Sequence, residues 1–275
     1  MSLPSISISC TSSCGDRSVV ADIEGNVHVF SLQLDRYVYQ SSFIAYSDSS
    51  ISSIALSPPE YGSLVAIIPS TSHEVLLYKI DGTFVVSLEI PGPGLCLHFA
   101  PDSFKLFIST DHTLLVFGID VQWSLLDEIE FRTPVSAISP LHNNFALVSC
   151  GPQLHLLGES SSGTLSQLHI IDLPNNISSM SGSPLVRSDD QGEKGNVCVG
   201  LENGSVYFCL VNFTTNYMEI VNNPASHGDK VVDIKWNLLG NEVLTSSLDR
   251  SVITFSCSID FTYQLLAKID IANGK

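Results

Sequence analysis

His227, Ser246, Ser247 and Asp249 stand close together in the sequence. They bring the side-chain types of acyl-transfer chemistry: an imidazole base, a hydroxyl nucleophile and a carboxylate to orient the base. Such chemistry needs the hydroxyl and an oxyanion donor to meet a substrate in the open. The spacing points elsewhere, because His227-Gly228 leads into an apolar run, Ser246 and Ser247 close the next one, and Asp249 sits in the turn after it. Side chains placed in this way satisfy buried polar groups between a loop and a hairpin. His227, Ser247 and Asp249 are therefore read as a structural hydrogen-bond network, with no catalytic residue among them.

No other set of side chains converges by spacing. His28, His73, His98, His112, His142, His155 and His169 are dispersed, none at the i, i+4 spacing of helical metal ligands. Asp127, Glu128 and Glu130 read as a solvated strand edge that deters sheet pairing. Pro91-Gly92-Pro93-Gly94 lacks the Lys-Ser/Thr continuation of a phosphate-binding loop and reads as a turn. Asn176, Asn203 and Asn212 begin glycosylation-type triplets with no secretion signal ahead of them. Cys10, Cys14, Cys96, Cys150, Cys198, Cys209 and Cys257 form an odd set without a C-x-x-C pair, which argues against a disulfide framework or structural zinc. The expectation is a protein that is not an enzyme and has no metal and no cofactor.

The 275 residues hold 12 Lys plus Arg against 28 Asp plus Glu, a formal net charge of −16. Nucleic acid and anionic membranes attract basic surfaces, so direct binding of either is not expected. At 44% apolar and 15% charged, the composition suits a domain with a large core. No apolar run approaches the roughly 18 residues of a membrane helix. Met1-Ser-Leu-Pro-Ser lacks the basic and apolar regions of a secretion signal, so a soluble, non-secreted protein is expected.

Apolar residues recur at every second position in short runs, and no helical period is sustained, so the positioning elements are strands. Residues 244–255 give a template of strand, acidic turn, strand, and an aromatic six positions after the turn residue. The frame recurs at Glu24 to Phe30, Ser72 to Tyr78, Asp111 to Phe117, Gly151 to Leu157 and Asn203 to Cys209, before ending at Asp249 to Phe255. Successive turn residues are 48, 39, 40, 52 and 46 apart, close to the roughly 40 to 45 residues of a four-stranded propeller blade.

The sequence therefore predicts an all-β, six-bladed WD40-type β-propeller, a single domain over 1–275. Its blades lie at approximately 5–46, 50–90, 94–132, 134–172, 177–223 and 227–271. Phe255 stands where such blades usually place Trp, so the His227 network is expected to lack its fourth member. The polar stretch 181–196 reads as an exposed loop interrupting blade five. Blade one supplies its own inner strand at 5–9 and the last strand ends near Ile271, leaving no strand to exchange between the ends. The propeller is expected to be open at the seam between first and last blades, presenting Ile6, Ile8, Val19, Ile253 and Phe255 to another chain.

Ser57-Pro-Pro-Glu-Tyr-Gly62, Gln122-Trp-Ser-Leu-Leu-Asp-Glu-Ile129 and His227-Gly-Asp-Lys-Val-Val-Asp-Ile-Lys-Trp-Asn-Leu-Leu-Gly240, together with Phe99-Ala-Pro101, resemble the Seh-type WD40-repeat nucleoporin family. The likeness spans about 50–131 and 195 onward; the paralogous Sec-type propeller of the COPII vesicle coat is less similar at the first and third strings. The resemblance implies a non-enzymatic structural scaffold in the Y-shaped subcomplex of the nuclear pore complex, located at the nuclear envelope of the nucleus. It implies a helical-solenoid nucleoporin as partner, donating a blade at the open seam, together with contacts to other Y-complex subunits. Support of nucleocytoplasmic protein and mRNA transport follows, with no direct nucleic acid, membrane or small-molecule substrate. The same resemblance leaves two alternatives: a COPII-type vesicle-coat propeller, and a subunit of the GATOR- or SEA-type amino-acid-signalling complex at the vacuolar or lysosomal membrane periphery.

Overall fold

A computed structural model describes residues 7–119, 122–142, 144–160, 163–258 and 260–271. Among the described residues, the regular elements are strands apart from one short 3-10 turn at Pro59–Tyr61. Alternation is the cause: in Asn26–Gln33, Val27 and Val29 are buried while the alternate residues His28 and Phe30 are only half-buried. The fold class is a six-bladed β-propeller, with six four-stranded antiparallel sheets. They fall into two compact units divided between Arg132 and Thr133.

In the first unit, blade one is β1 (Ile8–Cys14), β2 (Arg17–Asp22), β3 (Asn26–Gln33) and β4 (Arg36–Ile44). Blade two is β5 (Ile51–Leu56), β6 (Leu64–Pro69), β7 (Glu74–Lys79) and β8 (Phe84–Glu89). Blade three is β9 (Cys96–Phe99), β10 (Lys105–Ser109), β11 (Thr113–Ile119) and β12 (Trp123–Glu130). Val19, Val27, Ile51, Ile67 and Tyr78 share the core of blades one and two, and Ile68, Leu77, Leu97, Ile108 and Leu115 that of blades two and three. Each such side chain, fully buried, contributes roughly 1.5–3 kcal/mol of transfer free energy.

The inner strand of blade one differs from its expected position at 5–9. Gly15, at φ +61°, and Asp16 make a two-residue turn that pairs Cys14 with Arg17, so the strand extends backward from that turn to Ile8. Cys10 and Ser12 anchor it on blade two: Cys10 Sγ donates to Ile51 O at 3.6 Å, and Ser12 Oγ accepts from Leu56 N at 3.1 Å.

In the second unit, blade four is β13 (Val135–Pro140), β14 (Phe145–Cys150), β15 (Gln153–Glu159) and β16 (Leu165–Asp172). Blade five is β17 (Ile177–Asp189), β18 (Gly192–Leu201), β19 (Ser205–Asn212) and β20 (Tyr217–Ser226). Blade six is β21 (Val231–Trp236), β22 (Glu242–Ser247), β23 (Ser251–Cys257) and β24 (Tyr263–Asp270). The stretch 181–196 is not a loop but a hairpin that prolongs β17 and β18, pairing Arg187 with Lys194 and Asp189 with Gly192. Polar composition hid its period. It is held instead by Lys194 Nζ, 2.8 Å from Asp189 Oδ2 and 2.9 Å from Gln191 Oε1, and by Glu193 N donating to Thr214 Oγ1 at 3.0 Å.

The repeat frame reappears as a repeated irregularity. Pairing of the third and fourth strands shifts register at Phe30, Tyr78, Phe117, Leu157, Cys209 and Phe255, the residues six positions after each turn residue. A bulge at that point adds a residue to the outer strand and sharpens its twist. A second shift skips Ser9, Ser52, Ser136, Ser178 and Val232 on five inner strands. The serines donate to carbonyls of the adjacent strand, as Ser9 does to Ala21 O at 3.1 Å and Ser52 to Ile68 O at 3.0 Å. Blade six has an exposed valine there instead.

Candidate functional site

Strands inside the structure are buried on both faces: β6 from Leu64 to Pro69, and β18 from Lys194 to Leu201. Blades one and six differ. Along β2 and β3, Val19, Ala21, Val27 and Val29 pack toward blade two, while Val20, His28 and Phe30 on the opposite face are half-buried. In blade six, Val243, Ile253, Phe255 and Cys257 pack on Cys198, Val206 and Phe208 of blade five. The other face carries Leu244, 43% exposed, the half-buried Val252 and Thr254, and Ile269, 59% exposed. Lys235 and Asp233 flank it as a solvated pair at 3.5 Å.

The face of blade one also holds a single carboxylate with four hydrogen-bond partners. Asp22 Oδ1 accepts the N–H groups of Glu24 and Asn26, both at 2.9 Å. Its Oδ2 lies 2.9 Å from Asn26 Nδ2 and 2.9 Å from His28 Nε2. Burial pushes this carboxyl up, but the four hydrogen bonds outweigh it and leave Asp22 below the ordinary carboxylate range.

The His227 network exists with a changed membership. His227 Nδ1 lies 2.6 Å from Ser251 Oγ and Nε2 lies 2.8 Å from Thr245 Oγ1. Ser251 Oγ donates to Asp249 Oδ1 at 2.6 Å, and Gly228 N donates to Asp249 Oδ2 at 2.6 Å. Burial opposes the charge on Asp249, yet these donors hold its carboxyl far below the ordinary range. Burial acts on His227 as well and lowers its pKa, favouring the neutral imidazole, against the pull of Asp249 Oδ1 at 3.6 Å. Thr245 and Ser251 are buried and both ring nitrogens are engaged, so the group presents no nucleophile.

Ser247 is not the imidazole's partner as expected: its Oγ donates to Asp229 O at 2.8 Å and accepts from Asp249 N at 3.1 Å. Nor does the network stop at three members, since Thr245 and Ser251 complete it without a tryptophan. Two signals in the sequence identify them. Asp249-Arg-Ser251 is an Asx turn, with Ser251 N donating to Asp249 Oδ1 at 2.8 Å, and Thr245 shares a strand face with Ser247 two residues on.

The residues expected at the seam divide. Ile6 lies outside the described residues. Ile8, opposite Asp22, is 59% exposed. Val19 is buried in the core of blades one and two, and Ile253 and Phe255 in that of blades five and six, where Phe255 meets Phe208 edge-on at 5.4 Å. These three side chains are therefore not on an open face. Alternation alone does not say which parity of a strand faces its neighbouring blade, and here the opposite parity is exposed.

No family model matches the sequence, and no curated protein matches it. Among solved structures, the chain is similar to a functionally unknown protein from Desulfotomaculum acetoxidans, with a TM-score of 0.72 and 15% identity over 96% of this chain and 86% of that one. At that identity the likeness speaks to fold alone.

Proposed function

We propose that the chain is a non-enzymatic scaffold subunit of the nuclear pore complex, in its Y-shaped subcomplex, binding a helical-solenoid nucleoporin that donates a blade. A propeller of this kind is consistent with a protein-interaction role. The observation that carries the reading is the one-sided burial of blades one and six, whose Val20, Phe30, Leu244, Val252 and Ile269 lack the cover that interior blades enjoy. Strands from a partner would cover such faces, with main-chain hydrogen bonds giving affinity and side-chain fit giving selectivity. The resemblance of the strings at 57–62, 122–129 and 227–240 to the Seh-type family supports a helical-solenoid nucleoporin as that partner.

The location of a fluorescently tagged copy expressed from its own locus tests the assignment. A rim at the nuclear envelope is expected. Signal confined to reticulum exit sites or to the vacuolar or lysosomal membrane would contradict it and favour the vesicle-coat or amino-acid-signalling alternative.

A further inference from the structure

The ring of His28 lies on the face of blade one turned away from blade two. It stands directly opposite Val20 on β2 and Ser42 on β4. Phe30, two residues further along β3, meets Tyr39 edge-on with ring centres 5.8 Å apart. The imidazole is a polar group set in an apolar strip.

Asp22 fixes which nitrogen of the ring donates. Burial pushes the Asp22 carboxyl up, yet its hydrogen bonds hold it below the ordinary range, so it is an ionised acceptor at neutral pH. Its Oδ2 lies 2.9 Å from His28 Nε2. The shared hydrogen therefore belongs to Nε2, and Nδ1 of the neutral ring is left as an acceptor. Among the described residues, none donates to that nitrogen. Turning the ring over would break the bond to Asp22. The neighbouring polar side chains are served within the blade: Ser18 Oγ donates to Ser12 O at 3.3 Å, Tyr39 Oη to Ser42 Oγ at 3.1 Å, and Asn26 Nδ2 to Asp22 Oδ2 at 2.9 Å.

The His28 side chain is 13% exposed, so solvent reaches it while the face is open. Under an apolar cover the acceptor would go unmet, which weakens association by roughly tenfold or more. A covering strand with a donor at this point avoids that loss. Slipped by one residue, the same strand would turn its donor away and set an apolar side chain on Nδ1.

We propose that His28 sets the register of the partner's donated strands on blade one, with Nδ1 accepting a hydrogen bond from a hydroxyl or amide of the partner, between apolar side chains that cover Val20 and Phe30. The inference deepens the blade-donation reading above and rests on it.

His28→Gln tests it, because the glutamine amide keeps a donor toward Asp22 and lacks the Nδ1 acceptor. In complexes purified from cells and quantified by mass spectrometry, recovery of the helical-solenoid partner is expected to fall at least roughly tenfold with the variant, at an unchanged melting temperature. Equal recovery with both chains would overturn this inference and leave the blade-donation reading standing. Absence of any helical-solenoid protein from the wild-type complex would overturn both. Should His28→Gln not fold, nitrogen NMR of the His28 ring in the wild-type chain, alone and in the purified complex, answers the same question. Nδ1 is expected to resonate as an unprotonated nitrogen in the free chain and to shift on complex formation to the position of a hydrogen-bonded acceptor. A resonance unmoved by the partner, or a protonated Nδ1 in the free chain, contradicts the inference.

Discussion

Asp249 is the residue on which the turn of blade six depends, because one carboxylate gathers Gly228 N, Ser251 N and Ser251 Oγ. Replacing it by Asn keeps the shape but removes the charge and turns one of the two acceptor oxygens into a donor, so at least one of those bonds is lost, at a cost of about 2 kcal/mol in urea unfolding. The pH dependence follows from the direction of the shifts. Asp249 and Asp22 titrate lower in the folded chain than the ordinary value near 3.9. On acidification the unfolded chain takes up these protons first, so their contribution is complete above about pH 5 and is lost as pH falls toward the folded values. His227 is lowered too, by burial. The unfolded imidazole accepts its proton near 6.5, so stability already declines from about pH 7 downward. Asp249→Asn should flatten the loss below about pH 5 and retain the decline between roughly pH 7 and 5; superimposable profiles of unfolding midpoint against pH would refute this assignment.

At the scale of the element, the hairpin between the second and third strands supports the loop that enters the next blade. Gly204 adopts φ +86°, and a Cβ there would lie 2.5 Å from His227 O and 2.7 Å from Asp229 O. Backbone atoms cannot swing aside as a side chain does, so Gly204→Ala should cost about 2 kcal/mol or more, read as a drop in denaturation midpoint. An unchanged midpoint would show that the loop yields. The strand-turn-strand frame was legible in the sequence, and the bulges at Phe30, Tyr78, Phe117, Leu157, Cys209 and Phe255 fall at the position it marks. Other features were hidden for separate reasons. The hairpin at 181–196 has only Leu185 and Val186 among polar residues, glycines and Pro184, which leaves no period to read. The start of β1 depends on the turn at Gly15 rather than on its own apolar residues. Val19, Ile253 and Phe255 were placed on the wrong side because period two fixes a pair of faces without saying which is inward. His227 and Asp249 were found through their types, whereas Thr245 and Ser251 required the register.

For the molecule as a whole, the central claim is that this propeller works by being covered. On the face of blade six turned away from blade five, Leu244 and Ile269 are apolar side chains that meet solvent. Both side chains are exposed, so Leu244→Lys and Ile269→Lys together should leave folding within about 0.5 kcal/mol per site. The direct measurement is quantitative mass spectrometry of complexes purified from cells carrying either the wild-type chain or this double variant. A helical-solenoid partner should accompany the wild-type chain stoichiometrically and fall at least roughly tenfold with the variant, at an unchanged melting temperature. Equal recovery of that partner with both chains, or its absence from the wild-type complex, would contradict the account.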